Sequence, residues 1–136
     1  FLDGQVVLFE KIDTAFTYLD KQTELFKVVN VPFAGDMTEY CKTARRAAEE
    51  QSEYFTGPLG NDVFQFSPMP WVTYTHISHT NSGKKDNATP LFDWGKFYER
   101  DGKLRMPFSV QAHHSFVDGL HVGRLADMLQ SLLNVE

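Results

Sequence analysis

Cysteine is almost absent from this sequence, with Cys41 the single example among 136 residues. One thiol cannot form an internal disulfide, so a disulfide framework is excluded. No metal-binding spacing surrounds Cys41, so the sequence does not predict a metal site there either. We expect Cys41 to be a small buried side chain in the middle of a helix. A sequence without disulfides is typical of the reducing cytoplasm, which is the location we predict.

Long apolar runs and an excess of basic residues are also missing. No stretch approaches the ~18 apolar residues that a membrane-spanning helix needs. Thirteen basic residues against 18 acidic ones give a net charge of −5, which argues against a nucleic-acid partner because such partners need clustered positive charge. The sequence is instead rich in apolar residues, 42% of the total with 12 phenylalanines. That supply is enough for the core of one domain, or of part of one.

Short β-rich runs outnumber helices in this sequence. Asp36 is followed by a helix-favouring segment over residues 37–55, and apolar residues at helical spacing predict a second helix near the C-terminus. Asp101-Gly102 predicts a tight hairpin turn, and residues 80–89 predict a loop. Strands without regular alternation with helices indicate an α+β fold, a sheet with helices on one face. The predicted strands are residues 5–10, 15–19, 25–31, 63–66, 71–78, 91–100 and 103–112.

The most informative segment follows the last predicted strand. It reads Gln-Ala-His-His-Ser-Phe-Val-Asp-Gly and places His113 and His114 at the strand end, with Asp118 four residues after the second His. An imidazole, with an unperturbed pKa of about 6.5, can transfer protons at neutral pH. Strand alternation puts His114 on the packed face, so His114 is the predicted base and His113 a structural hydrogen-bonding residue. The alternative is two polar residues that close a strand before the helix N-cap Asp118.

Several segments together resemble the chloramphenicol acetyltransferase family. Residues 111–124 are similar to its Gln-x-His-His-x-x-x-Asp-Gly-x-His-x-(Gly/Ala)-Arg signature, and residues 67–72 to its Ser-x-x-Pro-Trp-Val segment. Residues 1–26 and 90–107 also match, and the weakest stretch is 30–62. The shorter His-x-x-x-Asp-Gly is shared with dihydrolipoyl acyltransferases and condensation domains. The resemblance implies that residues 1–136 are the C-terminal part of a single domain whose front segment, roughly a third of a family subunit, is absent.

The same resemblance implies a fold and an activity. The fold would be that of CoA-dependent acyltransferases, a two-layer sandwich of a mixed sheet with helices on one face. The activity would be acetyl-CoA-dependent O-acetylation of chloramphenicol without a metal, in a homotrimer with its sites at subunit interfaces. His114 would take the proton of the acceptor hydroxyl as that oxygen attacks the acetyl carbonyl. Two alternatives stay open: a related enzyme with another hydroxyl or amine acceptor, and a non-catalytic structural or binding member.

Further site residues follow from the resemblance. Ser67 would donate its hydroxyl to the tetrahedral oxyanion. Asp118 belongs to the predicted catalytic set as the neighbour of His114, although the resemblance implies a structural role for it. Its partner would be an arginine of the absent front segment or the local Arg124, and a backbone carbonyl would hold the imidazole. The predicted CoA-binding residues are Trp71, Lys96 and Phe97.

Two features depart from the family pattern. Asp93 stands where the family usually has a threonine, three residues after Pro90, and residues 81–87 are more polar than the family's apolar acceptor wall. Both leave the identity of the acceptor open.

The remaining histidines do not predict a metal site. His76 and His79 would point to opposite faces of a strand, whereas zinc needs convergent ligands. His121 is expected on the buried side of the last helix, as a core residue.

Overall fold

A computed structural model of the chain describes residues 1–56, 60–79 and 87–134. Its order of elements confirms the α+β class, with short strands around two helices. The elements are β1 Asp13–Asp20, β2 Leu25–Val31, α1 Met37–Glu50, β3 Val63–Phe66, β4 Leu91–Trp94, β5 Tyr98–Arg100, β6 Lys103–Arg105, β7 Phe108–Gln111 and α2 Gly119–Leu133.

Five strands form one mixed sheet in the order β2-β1-β3-β4-β7. The three central strands β1, β3 and β4 are parallel, while β2 and β7 are antiparallel to their neighbours. Strands β5 and β6 pair separately across the predicted turn, where Asp101 and Gly102 both have positive φ, 56° and 71°. A two-residue turn of that kind matches the twist of the strands it joins, so the hairpin prediction is confirmed.

Helix α1 packs on one face of the sheet and forms the core with β2. Its N-cap Asp36 accepts a hydrogen bond from the backbone N–H of Glu39 at 2.9 Å, which satisfies one of the unpaired donors of the first turn. Ala48 then packs against Val29 and Val31, all three almost fully buried. This layer confirms the predicted sandwich of sheet and helix.

The end of α1 was predicted five residues too late. The helix stops at Glu50 because Gln51 adopts an extended conformation, and its side-chain amide donates to the carbonyls of Val28 at 3.0 Å and Glu53 at 2.6 Å. The edge of β2 thereby binds the following segment, and the N–H of Val28 donates to Tyr54 O at 2.8 Å. A helix that continued to residue 55 would lose these contacts.

Several other expectations were wrong. Residues 5–10 form no strand, and residues 71–78 cross the sheet without joining it. The long strands predicted at 91–100 and 103–112 each break into two. The thiol of Cys41 is exposed. The predicted loop lies mainly outside the described residues, which resume at Asn87.

Val72 and Pro107 approach Gly95 closely because that residue lacks a side chain. A Cβ there would lie 2.7 Å from the carbonyl oxygen of Val72 and 2.8 Å from Pro107 Cγ. The same carbonyl accepts the N–H of Lys96 at 2.8 Å. Close approach of two backbones is a common reason for glycine, and here it lets Val72 and Tyr74 lie against the residue that follows β4.

Helix α2 has the predicted one-sided apolar spacing but buries none of it. No α2 residue is buried by the described part of the chain, and His121 is exposed, so its predicted core position is wrong. In the described ranges, neither helix is long and apolar enough to cross a membrane. The exposed large side chains of α2 are Leu120, Leu125, Met128, Leu132 and Leu133.

Candidate active site

The predicted base lies in a tight turn between β7 and α2. The carbonyl of His113 accepts the N–H groups of Phe116 and Val117, at 3.0 and 3.1 Å. The Nδ1 atom of His113 also accepts the N–H of Ser115 at 3.2 Å. These bonds define the turn and confirm the hydrogen-bonding role predicted for His113.

His114 leaves this turn toward solvent, with its side chain 88% exposed. The prediction that it lies on the packed face was wrong because β7 ends at Gln111, before the alternation reaches residue 114. Its Nδ1 lies 3.2 Å from Oδ1 of Asp118, which is itself 65% exposed. The partner that the structure gives to the imidazole is therefore a carboxylate rather than a backbone carbonyl, and it is His114 rather than Arg124 that lies against Asp118.

Helix geometry accounts for this contact. Asp118 is the N-cap of α2 with extended backbone angles, and its N–H donates to Nδ1 of His121 at 2.9 Å. The cap fixes the Asp118 backbone, and the turn before it brings residues i and i+4 together. An ionised carboxylate only accepts hydrogen bonds, so at 3.2 Å it favours the tautomer of His114 with the proton on Nδ1, in which Nε2 can accept a proton.

Replacing Asp118 with Asn tests this arrangement in the complete protein. An exposed ion pair contributes at most about 1 kcal/mol to stability, so the melting temperature should change little. Loss of the orienting carboxylate should lower kcat about tenfold or more, which is part of the rate enhancement that a positioned general base provides. Thermal melting and steady-state rates are measured side by side. A large drop in melting temperature with an unchanged kcat would give Asp118 the structural role that the resemblance implies.

The other predicted site residues gather at the carboxyl edge of β3 and β4. The N–H of Ser67 donates to Phe92 O at 2.9 Å, that of Met69 to Trp94 O at 2.8 Å, and that of Lys96 to Val72 O at 2.8 Å. These bonds bring four side chains to one edge, which we call the Ser67 edge. Its members are the half-buried Ser67 and the exposed Trp71, Lys96 and Phe97.

The Ser67 edge and the His114 turn lie at opposite ends of the sheet. Antiparallel pairing sets Gln111, the last residue of β7, against Leu91, the first residue of β4. His114 therefore lies beyond the amino edge of the parallel strands, and Ser67 beyond their carboxyl edge. The extended chain from Val63 to Ser67 alone spans about 13 Å.

Packing around Phe1 agrees with this separation. The Phe1 ring lies 5.4 Å from that of His113, and its carbonyl accepts the side-chain amide of Asn61 at 3.0 Å. Asn61 precedes β3 by two residues. Phe1 therefore connects the His114 turn to the start of β3, whereas Ser67 follows the end of β3. One copy of this chain does not bring His114 and Ser67 together.

A pair that the sequence did not reveal, the half-buried His79 and the buried Asp93, lies near Ser67. His79 Nε2 is 2.9 Å from Oδ2 of Asp93, and the Asp93 side chain is 1% exposed. His79 and Ser67 line the same cavity of about 200 Å³ on the sheet face opposite α1, which we call the Ser67 cavity. No local signal links two residues 14 positions apart, although the unusual Asp93 marked one of them.

No metal cluster was predicted, and none of the described residues forms a group of three His, Cys, Asp or Glu side chains that could hold an ion.

Comparison with known proteins finds similarity to one family of acetyltransferases. A family model described as chloramphenicol acetyltransferase matches residues 1–130. A chloramphenicol acetyltransferase of Vibrio anguillarum is 30% identical over 141 residues, and one of Campylobacter coli 33% over 137, each alignment covering 97% of this chain. The chain spans 65% and 66% of the lengths of these two relatives.

Solved structures agree with these relatives. A chloramphenicol acetyltransferase matches with a TM-score of 0.77 at 26% identity, over 90% of this chain and 61% of that one. A dihydrolipoamide acetyltransferase of Azotobacter vinelandii matches with a TM-score of 0.61 at 16% identity, over 96% of this chain and 56% of its own. The second likeness concerns the fold alone. Together they confirm the CoA-dependent acyltransferase fold.

Proposed function

Because the chain belongs to the chloramphenicol acetyltransferase family, we propose that it is the C-terminal part of a cytoplasmic enzyme that transfers acetyl from acetyl-CoA to a hydroxyl of chloramphenicol. One observation carries the proposal. His114 projects from the hydrogen-bonded turn after β7 with Nδ1 3.2 Å from a carboxylate, and no described residue hydrogen-bonds to its Nε2. That is the state of an imidazole ready to accept a proton.

The proposed reaction needs a single base. Nε2 of His114 removes the proton of the acceptor hydroxyl while that oxygen bonds to the acetyl carbonyl carbon. The tetrahedral intermediate collapses as the carbon–sulfur bond breaks, and the imidazolium returns the proton to the CoA thiolate. A thioester is already activated, so no covalent acyl-enzyme is required. Ser67 would donate a hydrogen bond to the oxyanion, and the Ser67 edge would hold CoA through Lys96 and the aromatic rings of Trp71 and Phe97.

The active form we propose is a homotrimer in which His114 of one subunit meets the Ser67 edge of the next. Three features support this assembly. The two groups lie at opposite ends of the sheet. His114 is 88% exposed, so the described part of its own chain does not shield it from water. The same residues leave the apolar side of α2 uncovered. A closed ring of identical subunits would complete each site in trans.

Ser67→Ala should separate binding from chemistry. Removing one oxyanion donor is expected to lower kcat by about 10²-fold, while the KM for acetyl-CoA stays nearly constant because that hydrogen bond forms in the transition state. Steady-state kinetics at varied acetyl-CoA measure both constants. A change confined to KM would make Ser67 a binding contact.

A second candidate function is acetyl transfer to a different hydroxyl or amine. The buried Asp93 beside the Ser67 cavity favours it, because a carboxylate is a poor neighbour for an apolar acceptor.

Thiol release from acetyl-CoA by the complete protein tests the proposal. Release with chloramphenicol supports it, and release only with other alcohols or amines supports the second candidate. No release from an intact trimer would leave a non-catalytic member of the family.

A further inference from the structure

The His79–Asp93 pair is positioned to recognise a ligand in the Ser67 cavity. Asp93 is 1% exposed and accepts from His79 Nε2 at 2.9 Å. An ionised carboxylate cannot donate, so the proton of this bond belongs to Nε2. Nδ1 is then the ring nitrogen of His79 left for a ligand, and His79 contributes to the cavity wall together with Ser67 and Gln65.

Polar atoms around this pair lack partners. Oδ1 of Asp93 and the hydroxyl of Tyr74 are buried without a hydrogen bond to any residue in the ranges 1–56, 60–79 and 87–134. Burial, and next the charge of Asp93, raise the pKa of Tyr74, so its phenol stays protonated. Buried polar groups are ordinarily satisfied, and a cluster that its described surroundings leave incomplete favours a polar ligand over an apolar one.

We propose that His79, oriented by Asp93, determines which acceptors the enzyme takes, by accepting a hydrogen bond from a second donor group on the acceptor. The inference rests on the proposed acetyltransferase function and specifies its substrate class. The acceptor is a small molecule with a hydroxyl to be acetylated and, a few atoms away, a further hydroxyl or a protonated amine. A neutral imidazole nitrogen accepts from either donor, and the negative charge of Asp93 behind the ring strengthens both contacts.

Binding of three matched acceptors to the complete protein, saturated with CoA and followed by calorimetry, tests this selectivity. The probes are phenylglycinol, which carries an ammonium group beside its hydroxyl, the diol with a hydroxymethyl group in place of the amine, and the monomethyl ether of that diol. Each of the two probes with a second donor should bind at least about tenfold tighter than the ether, because one buried hydrogen bond contributes a free energy of that size. If the amine binds more tightly than the diol, the charge of Asp93 makes the larger contribution to affinity. If the diol binds more tightly than the amine, the hydrogen bond to His79 makes the larger contribution.

The variant His79→Leu/Asp93→Val should reduce that preference to about twofold or less. Removing both partners avoids leaving a buried carboxylate unpaired, as His79→Leu alone would do, and a melting curve checks the fold. His76→Leu, an exposed histidine of the same segment, is the matched control and should keep the preference.

Equal affinities of the three probes for the unmodified protein would overturn the inference. So would a preference that survives in the double variant, or no binding of any probe. A different measurement tests the acetyltransferase proposal. That proposal fails if no acceptor gives thiol release, whatever the binding measurements show.

Discussion

His114→Ala in the complete protein is expected to lower kcat by about 10²–10⁴-fold, the usual contribution of a positioned general base. In the proposed mechanism no other group takes the acceptor proton. Asp118, at 3.2 Å from Nδ1, orients the ring and is placed on its far side from Nε2. Thiol release at saturating acetyl-CoA and acceptor measures the loss.

The neighbouring histidine supplies the control for this variant. His113→Asn keeps an acceptor for the N–H of Ser115, which Nδ1 of His113 binds at 3.2 Å, so the turn should survive. We expect its kcat to stay within about tenfold of the unmodified enzyme, since His113 holds the turn and contacts no substrate in the proposed mechanism. An active His114→Ala enzyme would contradict the mechanism outright.

Mixing two impaired variants should restore part of the activity. When His114→Ala and Ser67→Ala subunits are refolded together in equal amounts, a site works if its base comes from a Ser67→Ala subunit and its oxyanion donor from a His114→Ala subunit. Random assembly of closed trimers gives each condition a probability of one half, so about a quarter of the sites, and of the unmodified activity, should return. Size-exclusion chromatography confirms three subunits per particle.

The control mixture combines two variants of the same residue, His114→Ala and His114→Gln. No pairing of these subunits supplies an intact base, so their mixture should remain as slow as either component. If each subunit carried a complete site, the activity of the first mixture would be the average of its two components and would not exceed that of Ser67→Ala. That result, from mixed trimers shown to have formed, would contradict sites shared between subunits.

Local patterns in the sequence predicted the elements whose contacts are local. The bounds of β2 and β3 agree with prediction, as do the N-cap Asp36 and the hairpin at Asp101-Gly102. Alternation failed for residues 71–78, which have a strand-like pattern but cross the sheet beside Gly95. A pattern of period two shows that residues can line a pleated surface, and it does not show that an edge is available to pair with.

The sequence alone determined which residues form the His114 turn, because its contacts span few residues, although the exposure of His114 and its contact with Asp118 came from the structure. His114 and Asp118 are four positions apart, and the turn and helix N-cap that bring them together are encoded in the same segment. Only the tertiary structure decided which other residues share a site. The reversed direction of β7 sends His114 away from Ser67, and the crossing of residues 71–79 sets His79 against Asp93. Sheet order and strand direction determine which residues distant in sequence lie close together, and the local pattern of side chains predicts neither.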